Sequence, residues 1–151
     1  MTASARKATP EEVGLRYLAL GYHLRKVVDE GMTAGGLSLA RTKVLQALDR
    51  LGAVRQSTLA QELGQAPRSV TQSVEALDRA GLVERAADPD DGRSKLVRLT
   101  PKGAEALAAG TAAGEKVLRE VFGTMRREQL ADLDELLDTL KAGLPGAARD
   151  L

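Results

Sequence analysis

A charged turn, an alternating run and a helix start follow one another in Asp88-Pro89-Asp90-Asp91-Gly92-Arg93-Ser94-Lys95-Leu96-Val97-Arg98-Leu99-Thr100-Pro101-Lys102-Gly103. Asp-Pro and Asp-Gly are strong turn dipeptides. The preceding residues 82–85 are short and strand-like, and in residues 96–99 the apolar Val97 and Leu99 alternate with Arg98. Thr100 can cap a helix that has Pro101 at its first position, where the missing N–H costs nothing. The segment therefore predicts a β-hairpin that leads directly into a helix.

Two short helices are predicted before this hairpin. The first carries Leu59, Ala60 and Leu63 and stops at Gly64, and the second begins at Pro67 and ends at Gly81. The second helix has an apolar face at i, i+4 and i+7, made of Val70, Val74 and Leu77. Its opposite side carries Arg68, Gln72, Glu75 and Arg79, with Ser69 and Thr71 flanking. Two short helices with a tight turn predict a helix-turn-helix.

The rest of the chain is predicted to be helical. Residues 9–12 form a capping box with proline at the first helical position, which predicts a first helix to about Glu30. Ser38 is expected to cap a second helix that buries Leu45, Leu48 and Leu51 and stops at Gly52. A long helix should run from Pro101 to near Gly123, and Thr124 is expected to cap the last one.

The first and last helices carry apolar residues at alternating spacings of three and four, typical of a seam against another helix. The stripes are Val13, Tyr17, Leu20, Leu24 and Val27, and then Leu130, Leu133, Leu137, Leu140 and Leu144. The predicted helix-turn-helix and hairpin are small and offer these helices no obvious internal partner, so we expect the helices to pair with a second chain. The alternative is that both stripes pack within one chain.

Composition sets further limits. The 151 residues are 43% hydrophobic, contain no cysteine and show no run near the roughly 18 apolar residues of a membrane span, which favours a soluble single domain. The polar N-terminal segment lacks an export pattern, so a cytoplasmic location and no membrane association are expected. The net charge is +1, and residues 55–102 hold eight basic and seven acidic side chains. DNA binding would therefore depend on the arrangement of charges and not on bulk charge.

Residues 57–103, and less specifically the whole chain, resemble the MarR family of winged helix-turn-helix transcriptional regulators. The resemblance is carried by residues 59–64, by residues 70–85, by the wing tip Asp91-Gly92-Arg93 and by residues 97–103. The chain departs from the family pattern at Ala66, where a capping Ser or Thr is common, and at Gly92, where a basic residue is common. The first departure weakens the helix N-terminus and the second softens the wing.

The resemblance implies a mainly α-helical fold with a small β-hairpin wing, forming a homodimer through the N- and C-terminal helices. The whole chain, residues 1–151, would be one such domain, with the reader module in 38–103 and dimerisation helices in 9–31 and 101–144. The implied function is sequence-specific binding to a pseudo-palindromic operator in double-stranded DNA. Repression released by a small phenolic or anionic effector is the family's commoner habit.

Matching the residues to these roles gives two sets of candidates. Arg68, Ser69, Thr71 and Gln72 are the expected major-groove set, because arginine pairs with guanine and glutamine with adenine. In the wing, Arg93 takes the minor-groove role, Asp91 the role of bracing its guanidinium, and Lys95 lies close by. Candidates for effector binding are Arg16, Tyr17 and His23, which offer a cation, a ring and an imidazole.

Two other classes of function are alternatives to DNA-binding regulation. An enzyme is disfavoured because the chain has one histidine, no phosphate-binding loop, no Gly-x-Ser-x-Gly and no cluster at metal-ligand spacing. No cofactor and no metal are expected. The remaining alternative is a winged module that has lost DNA binding and acts on a protein partner.

Overall fold

The computed structural model describes residues 8–146, so most of the polar N-terminal segment, residues 1–7, lies outside the described residues. The chain divides into two compact units, residues 1–115 and 116–151, with the boundary inside the fifth helix. The single domain expected over residues 1–151 stays a prediction. The elements of the described range are α1 (Pro10–Ala34), α2 (Leu39–Leu51), β1 (Val54–Arg55), α3 (Gln56–Leu63), α4 (Pro67–Arg79), β2 (Val83–Ala87), β3 (Lys95–Leu99), α5 (Pro101–Phe122) and α6 (Arg127–Ala142).

The core of the first unit lies where α2, α3 and α4 meet the sheet. Its largest fully buried side chains include Leu45, Leu48, Leu59 and Leu77. Leu51, expected to be buried, is only half-buried at the edge of this cluster, because it is the last residue of α2. Between α3 and α4 the chain turns at Gly64, whose φ of 58° is left-handed and favours glycine. The predicted helix-turn-helix is confirmed.

The sheet has three antiparallel strands in the order β1-β3-β2. Strands β2 and β3 form the predicted hairpin over five residue pairs, from Val83 opposite Leu99 to Ala87 opposite Lys95. The short β1 pairs with β3, placing Val54 opposite Val97 and Arg55 opposite Leu96. The sequence did not predict β1, because two residues are too few to show an alternating pattern.

Helix α1 begins as predicted, with Thr9 and Glu12 in a reciprocal capping box. Its predicted end near Glu30 is wrong, because the helix continues to Ala34. Met32 is 3% exposed, and its side chain packs on the bare backbone of Gly114 in α5, so the last turn of α1 is held by tertiary packing. The cap of α2 is confirmed, since Ser38 Oγ accepts the N–H of Arg41.

The second unit is described over residues 116–146, which contain the end of α5 and all of α6. The prediction that Thr124 caps the last helix is wrong. Its hydroxyl donates instead to the carbonyl of Val121 at 2.8 Å, which satisfies the end of α5. Helix α6 starts after Arg126, whose backbone N–H donates to Oε1 of Gln129 at 2.9 Å.

Candidate nucleic-acid interface

Helix α4 has one buried face and one polar face. Val70, Val74 and Leu77 are at most 1% exposed. The exposed side chains are Arg68, Ser69, Gln72, Glu75 and Arg79. Within residues 8–146 the side chains of Arg68, Ser69 and Gln72 have neither a hydrogen bond nor an ion pair, so their polar atoms are available to an external molecule.

Thr71, the fourth residue expected in the major-groove set, has a structural role in the chain. Its hydroxyl donates to the carbonyl of Pro67 at 3.0 Å and accepts from Nε2 of Gln56 at 3.1 Å. Gln56 is the first residue of α3, so this hydroxyl fastens α3 to α4. One acceptor lone pair of the hydroxyl remains for another molecule.

The tip of the wing is an ordered loop closed by Asp91. One carboxylate oxygen of Asp91 accepts the backbone N–H of Arg93 at 3.1 Å, and the other accepts the hydroxyl of Ser94 at 2.9 Å. These two hydrogen bonds, in that order, lower the pKa of the Asp91 carboxyl. Asp91 thus braces the backbone of Arg93, whereas the sequence predicts that it braces the guanidinium. A short aspartate side chain readily accepts the backbone N–H two residues ahead of it. The guanidinium of Arg93 has no ion pair within the described range.

The base of the wing is held by a pair that sequence reasoning missed. Nε of Arg55 donates to Oδ2 of Asp88 at 2.7 Å, and the Asp88 side chain is only 4% exposed. The N–H of Asp90 donates to the other carboxylate oxygen at 2.9 Å. The hydrogen bond from Asp90 and then the Arg55 guanidinium hold the pKa of Asp88 below its ordinary value, and Asp88 raises the pKa of Arg55. No local pattern joins residues 33 apart in sequence.

Ion pairs engage some charged side chains around the wing and leave others free. Arg85 pairs with Asp78 at 2.9 Å, joining the wing to the end of α4. Arg98 pairs with Glu84 across the two wing strands at 2.6 Å. Together with Arg55–Asp88, these pairs neutralise three of the seven acidic side chains in residues 55–102. The cations Arg68, Arg93 and Lys95 are exposed and outside these pairs.

The start of α5 is fastened to the end of α4. Thr100 Oγ1 donates to the carbonyl of Gly81 at 2.6 Å, and its N–H donates to the carbonyl of Leu82 at 3.1 Å. Nζ of Lys102 donates to the carbonyl of Ala80 at 2.9 Å. A side chain at Gly103 would overlap the Leu82 carbonyl oxygen. The bare backbone of Gly103 therefore permits the close approach of α5 to this turn.

The candidate effector residues Arg16, Tyr17 and His23 are all exposed on α1. The structure brings the His23 ring against Tyr22, with centroids 5.5 Å apart at 75°. None of the three candidates lines the groove of about 620 Å³ between α1 and the start of α2. That groove is lined by Tyr22, Arg25, Lys26, Asp29, Ser38, Leu39, Ala40, Lys43 and Gln65.

Residues 8–146 contain no group of three or more His, Cys, Asp or Glu side chains that could hold a metal ion. In the same range, no helix combines the length and apolar character that crossing a membrane requires.

A helix-turn-helix flanked by strands of a three-stranded sheet, two of which form an exposed hairpin after the second helix, defines the winged helix-turn-helix class. A family model described as the MarR family matches residues 35–94. An HTH-type transcriptional regulator of Mycobacterium bovis is 32% identical over 106 residues, 70% of this chain and 74% of that protein. The regulator YdgJ of Bacillus subtilis is 27% identical over 106 residues, and the match spans 70% of this chain but 65% of YdgJ.

Solved structures show the same fold. The apo form of MarR from Escherichia coli has a TM-score of 0.78 and 23% identity, with 93% of this chain and 100% of that chain covered. A mutant of that protein complexed with operator DNA has a TM-score of 0.70 and 23% identity, covering 88% and 94%. The chain belongs to the MarR family, a family of DNA-binding transcriptional regulators and not of enzymes.

Proposed function

We propose that the protein is a homodimeric repressor that binds a pseudo-palindromic operator and is released by a small anionic or phenolic effector. The observation that carries the proposal is the separation of charge in the reader module. Asp78, Glu84 and Asp88 are held in internal ion pairs, while Arg68, Arg93 and Lys95 are exposed without one. Phosphate oxygens attract such free cations. The MarR mutant complexed with operator DNA supports the same mode of binding.

Helix α4 is the element that enters the major groove. Arg68 lies in its first turn and Gln72 four residues later on the same exposed face. An arginine can bond guanine O6 and N7, and a glutamine can bond adenine N6 and N7. Ser69 and the remaining lone pair of Thr71 lie beside them. These four residues form the proposed major-groove set.

The wing supplies the second contact. Asp91 orders the loop that presents Arg93, so little conformational entropy is lost when the guanidinium enters a groove. Narrow minor grooves of A·T-rich DNA concentrate negative potential and attract an inserted arginine. Lys95 is exposed at the start of β3 and is the proposed contact to the adjacent phosphate. Asp91 acts in this scheme through the backbone of Arg93.

A second copy of the chain is the proposed partner of α1 and α6. The seam residues Val13, Tyr17 and Leu20 are 50–67% exposed, and Leu15 and Leu18, on another side of α1, are 69% and 66% exposed. In α6, Leu136, Leu137 and Leu140 are also exposed. Apolar surface of this extent on both terminal helices favours burial in an isologous interface. Two-fold symmetry then places two recognition helices about one DNA turn apart, so half-sites should be centred roughly 10 bp apart.

The groove between α1 and α2 is the proposed effector site, in place of Arg16, Tyr17 and His23. Arg25 and Lys43 offer cations beside the ring of Tyr22, a combination suited to an aromatic carboxylate. The groove also reaches Gln65 in the turn of the helix-turn-helix. A ligand there would contact both α1 and the reader module, so it could bias their arrangement by its differential affinity for two states.

The test is binding to DNA from the region upstream of the protein's own gene. Footprinting should protect a site with inverted symmetry, and Arg68→Ala should lose about 1–3 kcal/mol while relaxing the choice of one base pair. Arg98→Ala is the matched control, because Arg98 is an exposed wing arginine already occupied by Glu84. Aromatic carboxylates should release the DNA from the parent but not from Arg25→Ala. A folded protein that protects no specific DNA would favour the protein-partner alternative.

A further inference from the structure

Two ion pairs cross between the wing and the helix-turn-helix: Arg85–Asp78 and Arg55–Asp88. Arg55 is the residue immediately before α3, and Asp88 is the residue immediately after β2. Their side chains meet at 2.7 Å, with Asp88 nearly inaccessible and Arg55 45% exposed. In the described chain, strand pairing between β1 and the wing covers two residue pairs. Of these contacts, the Arg55–Asp88 ion pair is the one that lies next to the loop at the wing tip.

Asp88 is also the point where the wing loop closes. Its backbone N–H donates to the carbonyl of Ser94 at 3.1 Å, and its carboxylate accepts the N–H of Asp90. The N–H of Ser94 in turn donates to the carbonyl of Asp91 at 2.9 Å. Contacts that hold Asp88 in place therefore also hold the loop that presents Arg93.

We propose that Arg55 and Asp88 are positioning residues for DNA binding, whose ion pair sets the angle of the wing relative to the helix-turn-helix. This proposal rests on the proposed binding of operator DNA. With the pair intact, α4 and Arg93 reach their two grooves together, so the ordering of the wing is complete before association. With the pair broken, Arg93 retains its charge, but the loop that presents it is held less firmly and must be ordered at the minor groove at an entropic cost.

Electrostatics adds a second reason for this assignment. Arg55 interacts with Asp90 and Asp91 as well as with Asp88, and all three carboxylates favour its charged form. The guanidinium thus offsets acidic groups in the loop next to Arg93. The same attraction draws this loop toward Arg55 at the base of the wing, in addition to the contact with Asp88.

The wing contains a matched control pair. Glu84 and Arg98 are directly opposite residues of β2 and β3, and their side chains meet at 2.6 Å. This is the same kind of arginine–carboxylate contact in the same sheet, but both partners belong to the wing. Breaking it removes one ion pair without releasing the wing from the helix-turn-helix.

The test compares operator affinities of Arg55→Met, Asp88→Asn and the double variant with those of Arg98→Met and Glu84→Gln. The single variants of the first pair should each lose about tenfold in affinity, and the double variant should lose no more than either. In an Arg93→Ala background, Arg55→Met should change affinity by less than about twofold, because the wing contact is already gone. The control variants should stay within about twofold of the parent.

This background separates positioning from other roles. If Arg55→Met still costs about tenfold when Arg93 is alanine, Arg55 acts by direct phosphate contact or by general stability, and the proposal is overturned. Equal losses for the Glu84 and Arg98 variants would overturn it as well. Arg55→Met leaves the nearly inaccessible Asp88 carboxylate without its partner, so the double variant, which removes both charges, keeps the test decisive if a single variant does not fold.

A measurement without DNA distinguishes failure of this proposal from failure of the proposed function. Hydrogen exchange of the Asp88 and Ser94 amides, both hydrogen-bonded within the loop, should accelerate in Arg55→Met but not in Arg98→Met. If the parent binds no DNA but the loop amides still exchange faster in Arg55→Met, the role of Arg55 in holding the wing loop is retained. Only the proposed binding of operator DNA is then rejected. Unchanged exchange in Arg55→Met would refute the anchor whatever the parent binds.

Discussion

Replacing Gly103 with alanine should destabilise the protein through one contact. The new Cβ would overlap the carbonyl oxygen of Leu82 and lie 2.9 Å from both the Leu82 carbonyl carbon and Cδ1 of Leu99. The oxygen and carbon are backbone atoms and cannot rotate away, so α5 must move off the turn after α4. That movement would also break the hydrogen bond from Thr100 N–H to the Leu82 carbonyl, now 3.1 Å long.

The expected magnitude follows from three effects. Overpacking costs about 1–3 kcal/mol, and the lost hydrogen bond costs about 1 kcal/mol. Alanine recovers up to about 1 kcal/mol of helix propensity. The free energy of unfolding should therefore fall by about 1–4 kcal/mol, and Tm should decrease by roughly 2–4 °C for each kcal/mol in a chain of this length. Operator affinity should decrease too, because the displaced segment joins α4 to the wing.

Thermal unfolding at one fixed protein concentration measures the effect, because the proposed dimerisation would make Tm concentration-dependent. Gly92→Ala is the control, since an added Cβ there meets nothing within 4 Å. Gly114→Ala should be intermediate, because its Cβ would meet only the flexible end of Met32, at 3.2 Å from Sδ. Equal Tm values for the Gly103 and Gly92 variants would refute the reasoning from this contact.

Three further outcomes are expected. Arg93→Ala should weaken binding most at operators with A·T-rich flanks and reduce the slope of log affinity against log salt by about 1, as measured by fluorescence anisotropy; an unchanged slope would contradict the wing contact. Leu137→Asp should dissociate the dimer in sedimentation experiments and reduce operator affinity with it, since a carboxylate would be buried unpaired; a variant that still sediments as a dimer would place the interface elsewhere. The lowered pKa of Asp88 means that its charged form stabilises the folded state above about pH 4, the ordinary value for aspartate, and that this contribution disappears as pH falls through the lowered folded value. Urea unfolding should accordingly show a constant difference between the parent and Asp88→Asn from about pH 5 to 7 that shrinks below about pH 4.

Signals within a few residues predicted most of the helices. The capping box at Thr9, the left-handed turn at Gly64 and the period of the Val70 face each depend on neighbouring residues, and the structure confirms all three. Two predictions at helix ends were wrong, the end of α1 and the cap of α6. Tertiary packing explains the first, and a competing local hydrogen bond explains the second. Met32 packs on Gly114 and extends α1, while Thr124 satisfies the helix before it.

The candidate site divides in the same way. Sequence pattern alone placed Arg68, Ser69 and Gln72 on the exposed face of α4, because the apolar period determines which side of a helix is buried. It also located the wing tip, because turn dipeptides act locally. Whether these residues contact DNA stays a prediction. Asp91 bonds the backbone of Arg93 and not its guanidinium, and the hydrogen bonds of Thr71 were not predicted. Hydroxyls and carboxylates have several acceptable partners within reach, so the sequence alone does not select one.

The amino-acid sequence by itself determined the order of the elements, the helix-turn-helix and the hairpin, since capping, turn and periodicity preferences are set by residues close together in the chain. The tertiary structure decided how the wing is held, through Arg55 and Asp88, 33 positions apart. It also decided why Gly103 must lack a side chain, because only the folded chain brings the Leu82 carbonyl against α5. These features depend on distances across the fold, and a linear pattern carries no information about which distant groups will meet once the apolar faces are buried.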